Sequence, residues 1–193
     1  MSAANTDQPG TGESDAGKSG VGESGVDVAR EHSPRASTSP VIVILMGSGA
    51  DREHAGKVAA VATALGIAVE QRVGSAHKTP GHVLKIIEQY EADPRPKVWV
   101  TIAGRSNALS AFVEAAVTAP VISCPPLAMP EDVWSSLRMP AEVAPMVVLD
   151  PVNAGLAAAK ILALVDPGIG QRLADRRATE FAKVTTADAE MNP

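Results

Sequence analysis

"VIVILMGSGAD", Val41 to Asp51, joins six consecutive apolar residues to a glycine-broken turn. A run with no polar face predicts a strand covered on both sides, the mark of a parallel sheet. The next residues, "DREHAGKVAAVATALG", place Ala55, Val58, Ala59, Ala62 and Leu65 at helical spacing and stop at Gly66. Strand, glycine turn and helix, in that order, are the first half of a βαβ unit.

The alternation continues outward from there. "IAVEQRV" (67–73) predicts a second strand. "TPGHVLKIIEQYEAD" (79–93) predicts a helix opened by Thr79-Pro80, with Val83, Ile86, Ile87 and Tyr90 on its inner face. "KVWVTIAG" (97–104) reads as a third strand and "SNALSAFVEAAVTA" (106–119) as a third helix. "PVISCPP" (120–126) and "APMVVLD" (144–150) read as strands four and five, followed by the Ala-rich helix "PVNAGLAAAKILALV" (151–165). A last, polar-faced helix is expected from about Ile169 to Thr185. Strands alternating with helices predict the α/β class, a three-layer α/β/α fold with a doubly wound parallel sheet of about five strands (flavodoxin-like), plus a C-terminal helix. The expected division is a disordered Gly/Ser-rich leader over 1–40, an α/β domain over 41–166, and a helix and tail over 167–193.

Within the leader, "GESDAGKS" (12–19) matches the phosphate-loop pattern G-x-x-x-x-G-K-[ST]. That pattern needs a strand before it and a helix after it. Here "MSAANTDQPGT" precedes and "GVGESGVDVAREHSPRASTSP" follows, with no apolar period in either, so the match reads as coincidence.

Composition narrows the class. Hydrophobic residues are 45 % but aromatics only 3 %, so the core must be built from Ala, Val, Ile and Leu. A formal charge of −5 and a pI near 5.4 argue against a nucleic-acid surface. The single cysteine, Cys124, excludes an internal disulfide and any multi-cysteine metal site, and fits a reducing compartment. No apolar run is long enough for a bilayer and no signal peptide is present, so a soluble, cytoplasmic protein with no membrane partner is expected.

In doubly wound sheets ligands bind beyond the carboxyl ends of the strands. Three of those ends carry unusual sequence. "MGSGAD" offers Gly47 and Gly49 for close backbone approach, a Ser48 hydroxyl and a helix N-terminus that favours an anion; the plainer reading is a tight turn with Asp51 as a helix cap. "SAHKTP" gathers Ser75, Ala76, His77 and Lys78 on one loop, an imidazole able to take and give a proton beside an ammonium, or else a solvated loop histidine. "AGRSNALS" sets Gly104, Arg105, Ser106 and Asn107 at a helix start, a seat for a small carboxylate or a plain cap by Ser106 or Asn107. His54 and His82 lie within helices and His32 in the leader, where ordinary structural roles are expected. Cys124 reads as a packed thiol. No His/Cys/Asp/Glu spacing suggests a metal.

"GSGAD", "SAHKTP" and "AGRSNALS", in this order and spacing, resemble the purE-type phosphoribosylaminoimidazole carboxylases. The likeness continues through "PVISCPPL" and "EDVWSSLRMP" to "NAGLAAAKILAL", covering roughly Val41 to Val165. "GRSNALSAF", "SCPPL" and "DVWSSLR" resemble the animal-type branch, which takes carbon dioxide directly, rather than the bacterial mutase branch, which rearranges a carbamate. The resemblance implies addition of carbon dioxide to 5-aminoimidazole ribonucleotide in purine synthesis, reversible and without ATP, biotin or metal. It implies that Ser48 and Asp51 bind at the ribose phosphate, with Lys78 beside them, that His77 transfers the proton, and that Ser106, with Arg105 and Asn107, holds the new carboxylate. Ala50 stands where the family usually has a second serine, so one hydroxyl ligand is lost. The animal relatives fuse this domain to a succinocarboxamide synthetase; a leader this short predicts a standalone chain. A homo-octamer or homotetramer is implied. The alternatives are the mutase, a nickel-pincer-type nucleotide carboxylase and a non-catalytic flavodoxin-like binding module. A nucleotide switch in the leader is a further reading.

Overall fold

Val41–Met46 forms β1, and all six of its side chains are buried, as an unbroken apolar run requires. Val41, Val43 and Leu45 enter one hydrophobic cluster, while Ile42, Ile44 and Met46 enter another on the opposite face. The structure is a computed structural model that describes residues 39–192. The "GESDAGKS" stretch and nearly all of the expected leader lie outside those residues.

After β1, a 3₁₀ turn at Gly49–Asp51 leads into α1 (Arg52–Ala64), then β2 (Ala68–Val73), α2 (Pro80–Glu91), β3 (Lys97–Ile102) and α3 (Ala108–Glu114). β4 (Val121–Ser123) is followed by a second 3₁₀ turn, Pro130–Val133, and α4 (Trp134–Leu137). β5 (Met146–Val147), α5 (Pro151–Leu162) and α6 (Pro167–Met191) complete the order. All four strand pairings are parallel, in the order β2-β1-β3-β4-β5. α1 and α5 pack on one face with Val58, Ala62, Ala158 and Leu162; α2 and α3 cover the other with Val83, Ile86, Leu109 and Val113. This is the expected three-layer, doubly wound α/β fold.

α1 and α5 approach closely because Gly155 has no side chain: a Cβ there would stand 3.0 Å from the Val58 carbonyl oxygen and 3.0 Å from Val61 Cβ. On the other face the two largest buried side chains, Trp99 and Tyr90, meet edge to face with ring centroids 5.3 Å apart.

Several boundaries differ from expectation. α3 stops at Glu114, not Ala119, because its last turn tightens: the Ala116 and Val117 amides bond three residues back, and Pro120 bars a helical residue before it. α6 runs past Thr185 to Met191, opened by Asp166 Oδ1 accepting the Gly168 amide at 2.8 Å. β2 is an edge strand with no buried side chain. Among the described residues no helix is long and apolar enough to cross a membrane.

Candidate active site

The chain leaves β1 and β3, neighbours at the centre of the sheet, toward opposite faces, which opens a crevice over their carboxyl ends. The crevice measures about 660 Å³. Gly47, Ser48, Asp51, Ser75, Ala76, His77, Lys78, Gly104, Arg105 and Ser106 line it, so all three strand-end motifs meet there. Gly49 and Asn107 do not line it. Ala50, singled out in the sequence for its missing hydroxyl, lines it too, as do Leu109, Pro126, Ala128 and Asp132, which sequence reasoning passed over. A groove of about 790 Å³ between α5 and α6 is larger, but no strand end reaches it.

In the loop after β1, Ser48 Oγ accepts the Ala50 amide at 3.1 Å and so caps the 3₁₀ turn. Gly47 sits beside the β3 end, where a Cβ would lie 3.4 Å from Ala103 Cβ, the near limit of ordinary contact. A Cβ on Gly49 would meet nothing within 4 Å, so close approach is not what that glycine supplies. Asp51 precedes α1 but makes no side-chain cap bond, which leaves its carboxylate facing the crevice. Burial pushes that carboxyl above its ordinary value; the Ser48 main chain and His54 oppose the rise.

The loop after β2 is a tight turn. The Thr79 amide bonds to the Ser75 carbonyl at 2.8 Å, and Thr79 Oγ1 accepts the Ser75 amide at 3.1 Å. The Lys78 amide donates to Ser75 Oγ at 3.3 Å. With the turn's polar groups bonded to one another, the His77 ring and Lys78 ammonium stand exposed on the crevice wall.

After β3, Gly104 brings the loop close to Pro126: a Cβ there would sit a tight 3.0 Å from the Pro126 carbonyl oxygen. Arg105 follows with φ +53°, in the left-handed region. Asn107, expected at the substrate, is 2 % exposed and fully engaged. Its Nδ2 donates to Ser123 Oγ and Ser136 Oγ, both at 2.9 Å, while its Oδ1 accepts the Ser110 amide at 3.2 Å and the Ser110 hydroxyl at 3.0 Å. Ser110 in turn meets Thr101 Oγ1 at 2.8 Å. The side chain therefore caps α3 and ties it to β4 and α4. Two amides at this helix start are also bonded: the Asn107 amide goes to Ser135 Oγ at 2.9 Å and the Ala108 amide to the Ser106 carbonyl at 3.0 Å. Of this loop, Gly104, Arg105 and Ser106 line the crevice.

Behind the crevice, His54 Nε2 lies 3.3 Å from Cys124 Sγ. Burial, helped by Lys57, pushes the imidazole below its ordinary value, with Asp51 and Asp150 opposing. Burial and the charge on Asp150 push the Cys124 thiol up to about 12. Both groups are thus neutral near pH 7, a packed pair rather than a nucleophile and base. Among the described residues no three His, Cys, Asp or Glu side chains converge as a metal site would require.

The family described as "AIR carboxylase" matches residues 41–183. The phosphoribosylaminoimidazole carboxylase of Treponema denticola is 43% identical over 155 residues, 79% of this chain and 98% of that protein. That of Archaeoglobus fulgidus is 45% identical over 152 residues, covering 77% and 83% of the two chains. A bifunctional phosphoribosylaminoimidazole carboxylase/phosphoribosylaminoimidazole succinocarboxamide synthetase of Drosophila melanogaster is 40% identical, and the match covers 36% of its length. The crystal structure of Treponema denticola PurE superimposes with a TM-score of 0.78, covering 80% of this chain and 99% of that one.

Proposed function

Since the chain belongs to the AIR carboxylase family, we propose that it is a phosphoribosylaminoimidazole carboxylase. It adds carbon dioxide to 5-aminoimidazole ribonucleotide to give the 4-carboxy product, reversibly and without ATP. The observation that carries this reading is the meeting of three strand-end motifs in one crevice, with His77 the single imidazole among its lining residues.

The chemistry follows from the substrate. The ring carbon next to the amino-bearing carbon behaves as an enamine carbon and attacks carbon dioxide once the two are held in line, so positioning replaces activation by a nucleotide. The new carbon–carbon bond leaves one hydrogen on the attacked carbon. His77 removes that proton, the electron pair returns to the ring, and aromaticity is restored. The Ser106 hydroxyl and the Arg105 guanidinium face the developing carboxylate. At the other end, Lys78 and the turn capped by Ser48 hold the phosphate. The Asp51 carboxylate repels a phosphate but accepts from hydroxyls, so its place is at the ribose. Ala50 removes one hydroxyl donor, a loss of roughly 0.5–1.5 kcal/mol in binding.

The same reading places the enzyme in the cytoplasm as a homo-octamer or homotetramer. Support comes from large apolar side chains left open along α6 and just before it, among them Leu164 at 84 % exposure, Phe181 at 70 % and Val184 at 70 %.

The activity is tested by giving the purified chain aminoimidazole ribonucleotide and bicarbonate with ATP omitted. Formation of the 4-carboxy product, and its decarboxylation in the reverse assay, is the expected result. No product from these two reactants overturns the reading.

A further inference from the structure

Arg105 sits on the crevice wall in a left-handed conformation, φ +53°. A side-chain-bearing residue is strained there, and the conformation persists only where neighbours hold it. Beside the Asn107 network, the neighbour that bonds the Arg105 main chain directly is one hydroxyl. Ser135, on α4, donates from Oγ to the Arg105 carbonyl at 2.6 Å and accepts the Asn107 amide at 2.9 Å. Its second acceptor, the Asp132 carbonyl, is 3.0 Å away. A hydroxyl has one proton and two lone pairs, so these contacts use it well. They fall on either side of Ser106, the residue whose hydroxyl faces the crevice. They also join two walls: Arg105 and Asp132 line the crevice, whereas Ser135 stands behind it. Ser136, the next residue, is buried and accepts from Asn107 Nδ2, which fixes α4 against the same loop.

We infer that Ser135 is a positioning residue of this site: its hydroxyl clips the Arg105–Asn107 loop to the Asp132 turn and so sets where Ser106 and Arg105 meet the reacting carboxylate. The inference rests on the carboxylase reading above for its kinetic consequence, but not for its structural one. Ser135 touches no substrate; it acts through Arg105 and Ser106. Phosphate and ribose are gripped by other loops, so the clip bears on turnover more than on nucleotide affinity.

The test compares Ser135→Ala, Ser135→Cys and Ser135→Thr with the wild-type chain in carboxylation kinetics and in crystal structures. Ser135→Ala is expected to lower kcat by about tenfold to a hundredfold while KM for the ribonucleotide stays within about twofold. Ser135→Cys, nearly the same size but a weak hydrogen-bonding group, should behave like alanine if alanine does not fold. Ser135→Thr, which keeps the hydroxyl, should recover most of the loss. In the alanine or cysteine variant Arg105 should leave the left-handed region. Wild-type kcat in Ser135→Ala, a loss that threonine does not recover, or an Arg105 that stays at its φ overturns the inference. A wild-type chain that carboxylates nothing sinks the carboxylase reading alone; Arg105 in the variant crystals then decides the clip.

Discussion

His77 stands on the crevice wall while the polar groups of its turn bond to one another, Ser75 to Thr79 and Lys78 to Ser75; among the described residues the ring has no hydrogen-bond partner. An imidazole so placed is available to take a proton from a carbon held over it. His77→Asn should keep ribonucleotide binding by calorimetry and lose about 10²–10⁴-fold in kcat, the usual share of a general base; an asparagine variant that turns over normally removes His77 from the mechanism. Cys124 presents the opposite case. Its thiol is buried and pushed up to about 12, so at pH 8 it should ignore a thiol reagent in the native fold and react only when the chain is unfolded. Fast labelling of the native protein would show that the thiol is not held in the packed core.

At the scale of elements, the loop after β3 depends on Asn107. Asn107→Ala takes one partner from each of the buried hydroxyls of Ser110, Ser123 and Ser136; Ser110 and Ser123 keep each other at 3.0 Å, while a buried group left unsatisfied costs about 1–3 kcal/mol. A fall in thermal midpoint together with a fall in kcat is expected; an unchanged midpoint would mean the network is not what seats α3. The regular elements were legible in the chain. β1 announced itself by an apolar run with no polar face, and α2 by Val83, Ile86, Ile87 and Tyr90 at helical spacing. The short ones were not. Pro130–Val133 and α4 span one turn each, too few residues for any period to show, so Asp132 was missed on the crevice wall. Asn107 stayed open between two readings for a different reason: a polar residue at a helix start looks the same whether it faces a ligand or caps the helix beneath it. Ser135 lies thirty positions from the Arg105 it holds, and no local pattern encodes that contact.

Across the whole molecule, acid sensitivity follows from two carboxyls away from the crevice and, at higher pH, from His54 behind it. The Tyr90 hydroxyl and the Arg95 guanidinium hold Glu70 below its ordinary value of 4.5, and Arg95 holds Asp93 below 3.8. A carboxyl held down by the fold adds stability that is present above its ordinary value and lost as pH falls through its folded one. His54, held below 6.5, contributes with the same sign at higher pH. The urea midpoint should therefore drop between about pH 5 and about pH 3, by a modest amount because these carboxyls are partly exposed, and Arg95→Ala should narrow that drop. An Arg95→Ala profile identical to wild type would remove the ion-pair explanation. The account as a whole depends on carbon dioxide itself being the carbon source. The direct measurement offers the enzyme the N-carbamate of aminoimidazole ribonucleotide while carbon dioxide is continuously swept from solution, and follows the 4-carboxy product. The account predicts that product formation stops under the sweep and returns when bicarbonate is restored; steady conversion of the carbamate with carbon dioxide removed would contradict it.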